Sequence, residues 1–582
     1  MKKMTGKIFA SKLWWLPMLL VLFGINYLGS VFYARLDLTK EKRYTLSKAT
    51  KDLLSKLDDE VQIDVFLKGD FPSGFRKLAN STTDFLQLLK DRNGSKIHYQ
   101  FISPEEDMPD SRVTYGDSLV SLGAVPINLT VQKKAGESSN IIFPVALIHY
   151  KGRQALVNLF PGASRNMSQV EINSAEALME YQFAKNLDKL TQDKPPAIVY
   201  ATGNGEPTDY RVIDLEQTLT KDYRFGPYDI LKNNIPADAD ILMIVKPTLP
   251  FTEAEKLKID QFVMRGGKLL CFIDDLIAEQ DSLSMKPETI AYDRNLNLTD
   301  LFFRYGIRIN PDLVMDLQCD VIPFVVGGNA ENPQMEFLHW NYFPMLTSGG
   351  NNLNRNLGYV ASRFANSIDT IQVNGVKKQP LLVSSPNSRV IGTPALISLN
   401  ENKNVPEDAR FKRNAIPVAM LLEGKFTSLF RNRIAQSQRD TIAAQGGAFK
   451  EFSVDNKMIV AGDGDIVFND FIPGNGSYSQ PSPLQMGWNK FTYTEYLKQS
   501  DYGRLFVPVA NREFLLSCIE NLTNNASISE TRNKDIVLRL LDSQKVKDQK
   551  STWQFINIAL PVLLIILSGL VYQQIRKRKY AA

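Results

Sequence analysis

Two long stretches of the chain carry no charged residue. Residues 13–34 and 553–572 consist mostly of apolar and aromatic side chains. A helix of about 20 residues crosses the hydrocarbon core of a bilayer, and aromatic residues at its ends are typical of the headgroup level. We therefore predict a transmembrane helix near each terminus. A cleaved signal peptide is the alternative for the first stretch, although its apolar run is long and lacks a small-residue cleavage site.

Between these stretches, the pattern changes to that of a folded α/β protein. Residues 61–67 have the period of a strand, residues 75–90 have the period of a helix, and residues 96–102 have a second strand pattern. This succession predicts a β-α-β unit. Further strand patterns and a helix ending near residue 187 complete a small α/β domain, which we place at residues 36–190.

A different pattern begins after the turn-rich segment 191–196. Continuous apolar strands now alternate with helices, which is typical of a parallel sheet covered by helices on both faces. We predict this larger α/β domain at residues 195–527. Within it, the Asn-, Pro- and Gly-rich residues 283–414 predict an insertion or subdomain, and residues 528–552 after it predict a membrane-proximal stem.

The basic charge of the chain is concentrated at its two ends. The 68 basic and 63 acidic residues give a net charge of +5, yet residues 1–12 and 573–582 each carry four basic residues and no acidic one. The chain between these tails therefore has a net charge of −3, which argues against a nucleic-acid-binding surface. Because basic tails mark the cytoplasmic side, we predict a bacterial inner-membrane protein with both termini cytoplasmic and its bulk periplasmic.

The composition argues against several kinds of catalytic or metal site. Three cysteines make no disulfide framework, and three widely spaced histidines exclude a histidine-rich metal site, although a carboxylate-only site stays open. The chain lacks a G-x-x-x-x-G-K-[ST] loop, so we expect no nucleotide hydrolysis. Cys271 lies within a predicted strand, which favours a buried packing role over a nucleophile. We therefore predict no catalytic residue, no metal and no cofactor.

One glycine-rich turn is a candidate ligand site; its residues are Gly203, Asn204, Gly205 and Glu206. The turn follows an apolar strand, where main-chain amides can bind an anion. A tight β-to-α turn without a ligand explains the two glycines equally well. Asp274 and Asp275 follow another strand at its carboxyl end, and a helix cap or solvation explains them as well as a ligand would.

Several stretches, spread in order over almost the whole chain, resemble one known family. They include RLDLTKEKRYTLS, GNGEP, FVMRGGKLLCFID, IPVAMLLEGKFTSLFRNR, KMIVAGDGDIVFND and WQFINIALPVLLIILSGLVYQQIRKRKY. In these stretches the chain resembles the gliding-motility-associated ABC transporter auxiliary (substrate-binding-like) proteins of the GldG family of Bacteroidetes. The resemblance implies a membrane subunit that works with a permease and an ATP-binding subunit. It also implies a glutamine-amidotransferase-like large domain without the catalytic elbow, and it supplies no site residues.

We therefore predict a non-enzymatic, membrane-anchored accessory subunit of an ABC transporter, which the resemblance links to gliding motility and associated export. Its expected partners are a GldF-like permease, a GldA-like ATP-binding subunit and the lipid bilayer, with no nucleic acid. Two alternatives stay open. One is a periplasmic sensor or scaffold that binds an envelope glycan or anion at the turn 203–206. The other is an amidotransferase-like envelope enzyme that uses Cys271.

Overall fold

The structure is a computed structural model, and its residues form two units, 1–534 and 535–582. The residues that it describes are 19–24, 26–27, 45–69, 71, 73–109, 113–124, 126–133, 136–160, 169–192, 194–280, 283, 286–329, 332–354, 357–399, 408–437, 439–440, 448–472, 474, 481–523, 528, 531 and 543–580.

The helices are α1 (Lys48–Ser55), α2 (Ser73–Arg92), α3 (Tyr115–Ser121), α4 (Gln169–Thr191), α5 (Ile213–Thr220), α6 (Glu253–Met264), α7 (Thr299–Tyr305), α8 (Lys490–Leu497), α9 (Asn511–Thr523) and α10 (Ser543–Tyr580). The first strands are β1 (Val61–Val65), β2 (Ile97–Phe101), β3 (Ile127–Lys133), β4 (Gly136–Ile142), β5 (Val145–Tyr150), β6 (Arg153–Asn158), β7 (Ala197–Thr202), β8 (Arg224–Asp229), β9 (Ile241–Val245), β10 (Lys268–Phe272), β11 (Leu276–Ile277) and β12 (Glu288–Asp293). The remaining strands are β13 (Ile307–Ile309), β14 (Asp312–Asp316), β15 (Cys319–Gly328), β16 (Pro333–Ser348), β17 (Val360–Ala361), β18 (Ile368–Thr370), β19 (Val376–Val383), β20 (Ser388–Gly392), β21 (Ala395–Ser398), β22 (Pro417–Thr427), β23 (Phe452–Ala461), β24 (Phe471–Ile472) and β25 (Ser482–Pro483).

The N-terminal part of the first unit contains a four-stranded sheet in the order β2-β1-β5-β6. β1 and β2 are parallel and connected through α2, which confirms the β-α-β unit, and β5 and β6 form the hairpin. Lys151 and Gly152 make the hairpin turn with φ values of 49° and 73°. α1, α2 and α4 contribute Leu54, Phe75 and Phe183 to the core that packs against this sheet. We refer to this part of the unit as the N-terminal region.

The large sheet has the strand order β15-β16-β19-β22-β23-β10-β9-β7-β8. β8, β7, β9, β10 and β23 are parallel to one another, as the continuous apolar runs of β7, β9 and β10 predict. β22, β19, β16 and β15 extend the sheet with antiparallel pairs. The sheet is therefore mixed, and the predicted parallel arrangement describes five of its strands.

Helices cover both faces of the parallel strands. Ile198 and Tyr200 of β7 are buried in the same cluster as side chains of α5 and α9. Val199 and Ala201, which alternate with them, are buried in a second cluster with side chains of α6 and α7. Burial on both faces explains why β7, β9 and β10 are almost entirely apolar instead of alternating between apolar and polar residues.

Four strands within the Asn-, Pro- and Gly-rich segment 283–414 belong to the large sheet: β15, β16, β17 and β19. β16 and β19 pair with each other through residues such as Thr347 and Val383, and β19 continues the sheet to β22. Other strands of the segment form small sheets, such as β14-β20. The segment therefore extends the large sheet in addition to forming sheets of its own.

The second unit contains α10, which includes a 30-residue stretch, Gln549–Arg578, long and apolar enough to cross a membrane. This stretch contains the predicted span at residues 553–572. Of the predicted first span, residues 13–34, eight residues between 19 and 27 are described, and all are helical. The rest of that span and part of the predicted stem lie outside the described residues.

Candidate functional site

The loops that follow the parallel strands lie together at the carboxyl edge of the large sheet. Val245, Phe272 and Ala461 are neighbours in register at the ends of β9, β10 and β23. β7 has β8 on one side and β9 on the other, so the strand order reverses there. Open α/β sheets commonly bind ligands at such an edge, which makes these loops the candidate functional site.

Lys246, the first residue after β9, lies at the centre of a buried ionic cluster. Lys246 is 3 % exposed, and its Nζ lies 2.9 Å from Asp274, 2.8 Å from Asp465 and 3.2 Å from Glu279. The Nζ also lies 5.4 Å from the centre of the Phe468 ring. Burial alone would lower the pKa of Lys246, but the three carboxylates raise that pKa above its ordinary value. Lys246 is therefore charged at neutral pH.

Asp463, in the loop after β23, is fully buried beside this cluster. Its carboxylate oxygens accept hydrogen bonds from the main-chain N–H groups of Arg363 and Asp465, each at 2.7 Å. Burial, together with the carboxylates of Asp465 and Asp274, raises the pKa of Asp463 well above its ordinary value. Burial also raises the pKa of Asp274, while the charge of Lys246 acts in the opposite direction.

The Lys246 cluster is closed by its own members. A Cβ atom on Gly464 would lie 2.6 Å from the Cβ of Lys246 and 3.2 Å from a carboxylate oxygen of Asp274, so the space between these side chains is filled. Among the described residues, no group of three or more His, Cys, Asp or Glu side chains could hold a metal ion. Because the Lys246 amine already contacts three carboxylates, the cluster supports the edge of the sheet instead of offering a free base.

The predicted ligand turn is bound to the loop after β9; its residues are Gly203, Asn204, Gly205 and Glu206. The carbonyl oxygen of Asn204 accepts hydrogen bonds from the N–H groups of Thr248 and Leu249, both at 2.8 Å. Gly203 and Gly205 have φ values of 124° and 79°, which suit glycine. A Cβ atom on Gly205 would lie 2.0 Å from Oγ1 of Thr248. The tight turn and the close approach therefore account for both glycines.

Glu206 folds back into this turn and contacts its main chain. The Oε2 atom of Glu206 accepts a hydrogen bond from the N–H of Asn204 at 2.8 Å, so this carboxylate takes the position that an external anion would need. Burial raises the pKa of Glu206 to about 7, and the charge of Glu255 adds to the rise. Three buried oxygens have no hydrogen-bond partner among the described residues: Oε1 of Glu206, Oδ1 of Asn204 and Oε1 of Glu255. The turn stays a predicted ligand site.

Cys271 and Asp275 are the other candidate functional residues from the sequence, and neither belongs to the Lys246 cluster or to the turn 203–206. Cys271 is fully buried within β10, and burial raises the pKa of its thiol. Burial also raises the pKa of Asp275 to about 6. Lys246 and Asp463 were not among the residues predicted from the sequence. Their signals were a charged residue placed directly after the apolar run ILMIV, and the sequence GDGD placed directly after KMIVA.

The carboxyl edge of the large sheet lies within a region that matches a known protein family. A family model described as an ABC-type uncharacterized transport system, the ABC transporter auxiliary family, matches residues 195–501, more than half of the chain. The protein belongs to this family. As a member of the ABC transporter auxiliary family, it is an accessory component of a transport system, and the match includes all five parallel strands and the Lys246 cluster. A second model, described as a domain of unknown function, matches residues 40–149.

Individual relatives of this auxiliary protein are distant. An uncharacterized protein of Borreliella burgdorferi is 23 % identical over 451 residues, covering 75 % of this chain and 81 % of the relative. Among solved structures, the mmIFT52 N-terminal domain is 13 % identical with a TM-score of 0.27, covering 47 % of this chain and 88 % of that one. The exo-β-1,4-mannosidase Op5Man5 from Opitutaceae bacterium strain TAV5 is 11 % identical with a TM-score of 0.18, covering 67 % and 46 %. The TM-scores are too low to support an argument about fold or function.

Proposed function

We propose that this protein is a membrane-anchored, non-enzymatic accessory subunit that works with the permease and the ATP-binding subunit of an ABC transporter. The observation that carries the proposal is the family match over residues 195–501 in a chain that also contains the apolar helical stretch Gln549–Arg578. An accessory subunit needs no nucleotide site of its own, which agrees with the lack of a phosphate-binding loop in the sequence.

The proposed location is the bacterial inner membrane, with two spans, cytoplasmic termini and a periplasmic bulk. The uncharged stretch at residues 13–34 supplies the first span, and α10 supplies the second. The four basic residues of each tail favour the cytoplasmic side for both termini. Within this proposal, gliding motility and associated export are the narrower role, and GldF-like and GldA-like proteins are the specific partners; the sequence resemblance supports both.

The non-enzymatic part of the proposal is supported by the chemistry of the carboxyl edge. An amidotransferase-like reaction needs an exposed, activated thiolate, whereas Cys271 is fully buried and its pKa is raised. The amine of Lys246 is bound to three carboxylates. Replacing Cys271 with Ala therefore leaves transport unchanged under our proposal, and a specific loss of function in a stably folded variant would favour the enzyme.

One observation favours a second candidate function, ligand sensing at the turn that contains Glu206. Oδ1 of Asn204 and Oε1 of Glu206 are buried and unpaired among the described residues, so they suit a ligand that donates hydrogen bonds, such as the hydroxyl groups of an envelope glycan. Thermal stabilisation by a glycan fragment, lost in both Asn204→Ala and Glu206→Ala, would support this function. The absence of any stabilisation would remove it.

The accessory role is tested by purification of the tagged full chain from detergent-solubilised membranes. We expect a multispan permease and an ATP-binding subunit to co-purify in constant proportion. A matched variant without residues 549–582 should lose the C-terminal anchor and recover less of both partners. A full chain that purifies as a monomer, with neither partner, would contradict the proposal.

The topology is tested by labelling introduced cysteines with a membrane-impermeant maleimide. The three native cysteines are buried, so they give little background. Lys232→Cys, at a residue whose side chain is 76 % exposed, should react in cells with a permeable outer membrane. Lys577→Cys, in the basic C-terminal tail, should react only after the inner membrane is opened. Labelling of Lys577→Cys in intact cells would overturn the proposed orientation.

A further inference from the structure

A cavity of about 370 Å³ opens where the N-terminal region meets the large sheet. Its walls come from the start of β6, the end of α4, the segment that joins α4 to β7, the turn between α5 and β8, and Glu520 of α9. Ligand pockets of proteins commonly have volumes of about 300–1,000 Å³ and often lie at such junctions. The cavity is therefore large enough for a small organic molecule.

Two ion pairs span the walls of this cavity. Lys185 of α4 pairs with Glu520 of α9, and Lys189 of α4 pairs with Asp222, which follows α5. Both pairs connect the N-terminal region with elements of the large sheet. They also neutralise both of the carboxylates that line the cavity.

Two further cations line the cavity without a carboxylate partner among the described residues. Arg153, at the start of β6, donates hydrogen bonds from its guanidinium to the carbonyl oxygens of Leu190 and Gln192. These two bonds hold the group in place and leave three of its five N–H donors available. Lys221, directly after α5, is exposed and also lines the cavity. The cavity therefore has a surplus of two positive charges.

Part of the cavity wall is apolar and includes an aromatic residue. Leu190, Pro195 and Pro196 line it together with the half-buried Tyr223. A flat apolar body placed against this wall would leave water and contact the ring, while a charged group on the same molecule could reach the cations. This combination sets two requirements for a ligand, one anionic group and one compact apolar body.

We propose that this junction cavity binds a small organic anion that carries a carboxylate or phosphate group on a compact ring. Arg153 and Lys221 bind the anionic group, and Tyr223 with the two prolines contacts the ring. Because the walls belong to both the N-terminal region and the large sheet, the bound ligand stabilises their arrangement. The site is separate from the carboxyl edge and does not depend on the partners proposed above.

Phenyl phosphate is the probe that tests this proposal, because it combines both required groups. Calorimetric titration of the purified full chain in detergent should show saturable binding that weakens as the salt concentration rises. Saturating phenyl phosphate should also raise the melting temperature by several degrees, since it binds the folded state. Inorganic phosphate and phenol, which each carry one of the two groups, should bind at least tenfold more weakly.

Variants assign the binding to the cavity. Arg153→Gln and Lys221→Gln should each weaken phenyl phosphate binding about tenfold or more, the usual effect of losing a charged hydrogen-bond donor. Arg265→Gln, at an exposed arginine after α6, is the matched control and should bind normally. The melting temperatures of the unliganded variants show whether they are folded. No saturable binding, or equal binding by all of these variants, would overturn the proposal, as would equal affinity for inorganic phosphate.

Discussion

The carboxyl edge of the sheet and the junction cavity use charged residues in opposite ways. At the edge, the amine of Lys246 contacts Asp274, Asp465 and Glu279, and Gly464 leaves no room for a further atom. At the junction, cations outnumber carboxylates around a space of about 370 Å³. The Lys246 cluster is filled by its own side chains, whereas the junction is open.

This difference shows that the position of a site in a fold does not determine its use. The carboxyl edge is where open α/β sheets usually bind ligands, yet here the amine of Lys246 is already bound to three carboxylates. The junction lies away from this edge, and its surplus positive charge and free volume suit a ligand. The edge therefore stabilises the large sheet, and the junction is the better place to look for regulation of a transporter accessory subunit.

The largest effect is expected from Lys246→Met, which removes the central cation of the edge. The variant leaves Asp274 buried and Asp465 partly buried without their partner, so we expect the free energy of unfolding to fall by about 3–5 kcal/mol. Urea denaturation followed by tryptophan fluorescence measures this loss. The matched control is Lys221→Met at the open junction, which should change stability by no more than about 0.5 kcal/mol. Equal losses in the two variants would contradict the proposed contrast.

The next effect concerns Glu206 and the pH dependence of stability. Its pKa of about 7 in the folded chain exceeds the value of about 4.3 for an unfolded glutamate, so the folded state binds this proton more tightly. The stabilisation of the folded state by this proton is complete below about pH 4 and is lost as the pH rises to about 7. Glu206→Gln should remove that loss and stabilise the chain by roughly 3 kcal/mol at pH 8.

The pH effect is measured as the difference in unfolding free energy between Glu206→Gln and the natural chain, at several pH values from 4 to 8. Differences are needed because burial also raises the pKa values of Asp275 and Asp463. Glu216→Gln, at an exposed glutamate of α5, is the control and should leave the profile unchanged. A difference that does not vary with pH would show that Glu206 is already ionised in the folded chain.

Much of the local structure could be predicted because it depends on neighbours in sequence. The continuous apolar runs of β7, β9 and β10 indicated strands buried on both faces, and the helix α6 begins with a capping box that Thr252 and Glu255 form three residues apart. The turn at Gly203 was also recognisable from its glycines. These features need only the chemistry of a few consecutive residues.

The features that the sequence did not reveal depend on residues far apart in the chain. Lys246 and Asp465 are more than 200 positions apart, and their contact follows from the position of β23 beside β10. The same is true of Lys185 and Glu520 at the junction. Their helices are in contact, although all strands of the large sheet lie between them in sequence. The charge pattern of a few consecutive residues cannot show such pairs. Neither the Lys246 cluster nor the junction cavity could therefore be predicted from the sequence.

The smallest loss of stability is expected from Asp222→Asn at the junction, and this variant should bind phenyl phosphate more tightly. The side chains of Asp222 and Lys189, which form an ion pair, are each about one-third exposed. Losing the pair should therefore lower the free energy of unfolding by about 1 kcal/mol or less. The variant also frees Lys189, so phenyl phosphate should bind severalfold more tightly. Asp209→Asn, which breaks the similarly exposed pair with Arg211, is the control and should leave binding unchanged. Weaker binding by Asp222→Asn would mean that the pair shapes the cavity, because surplus charge alone requires the affinity to rise.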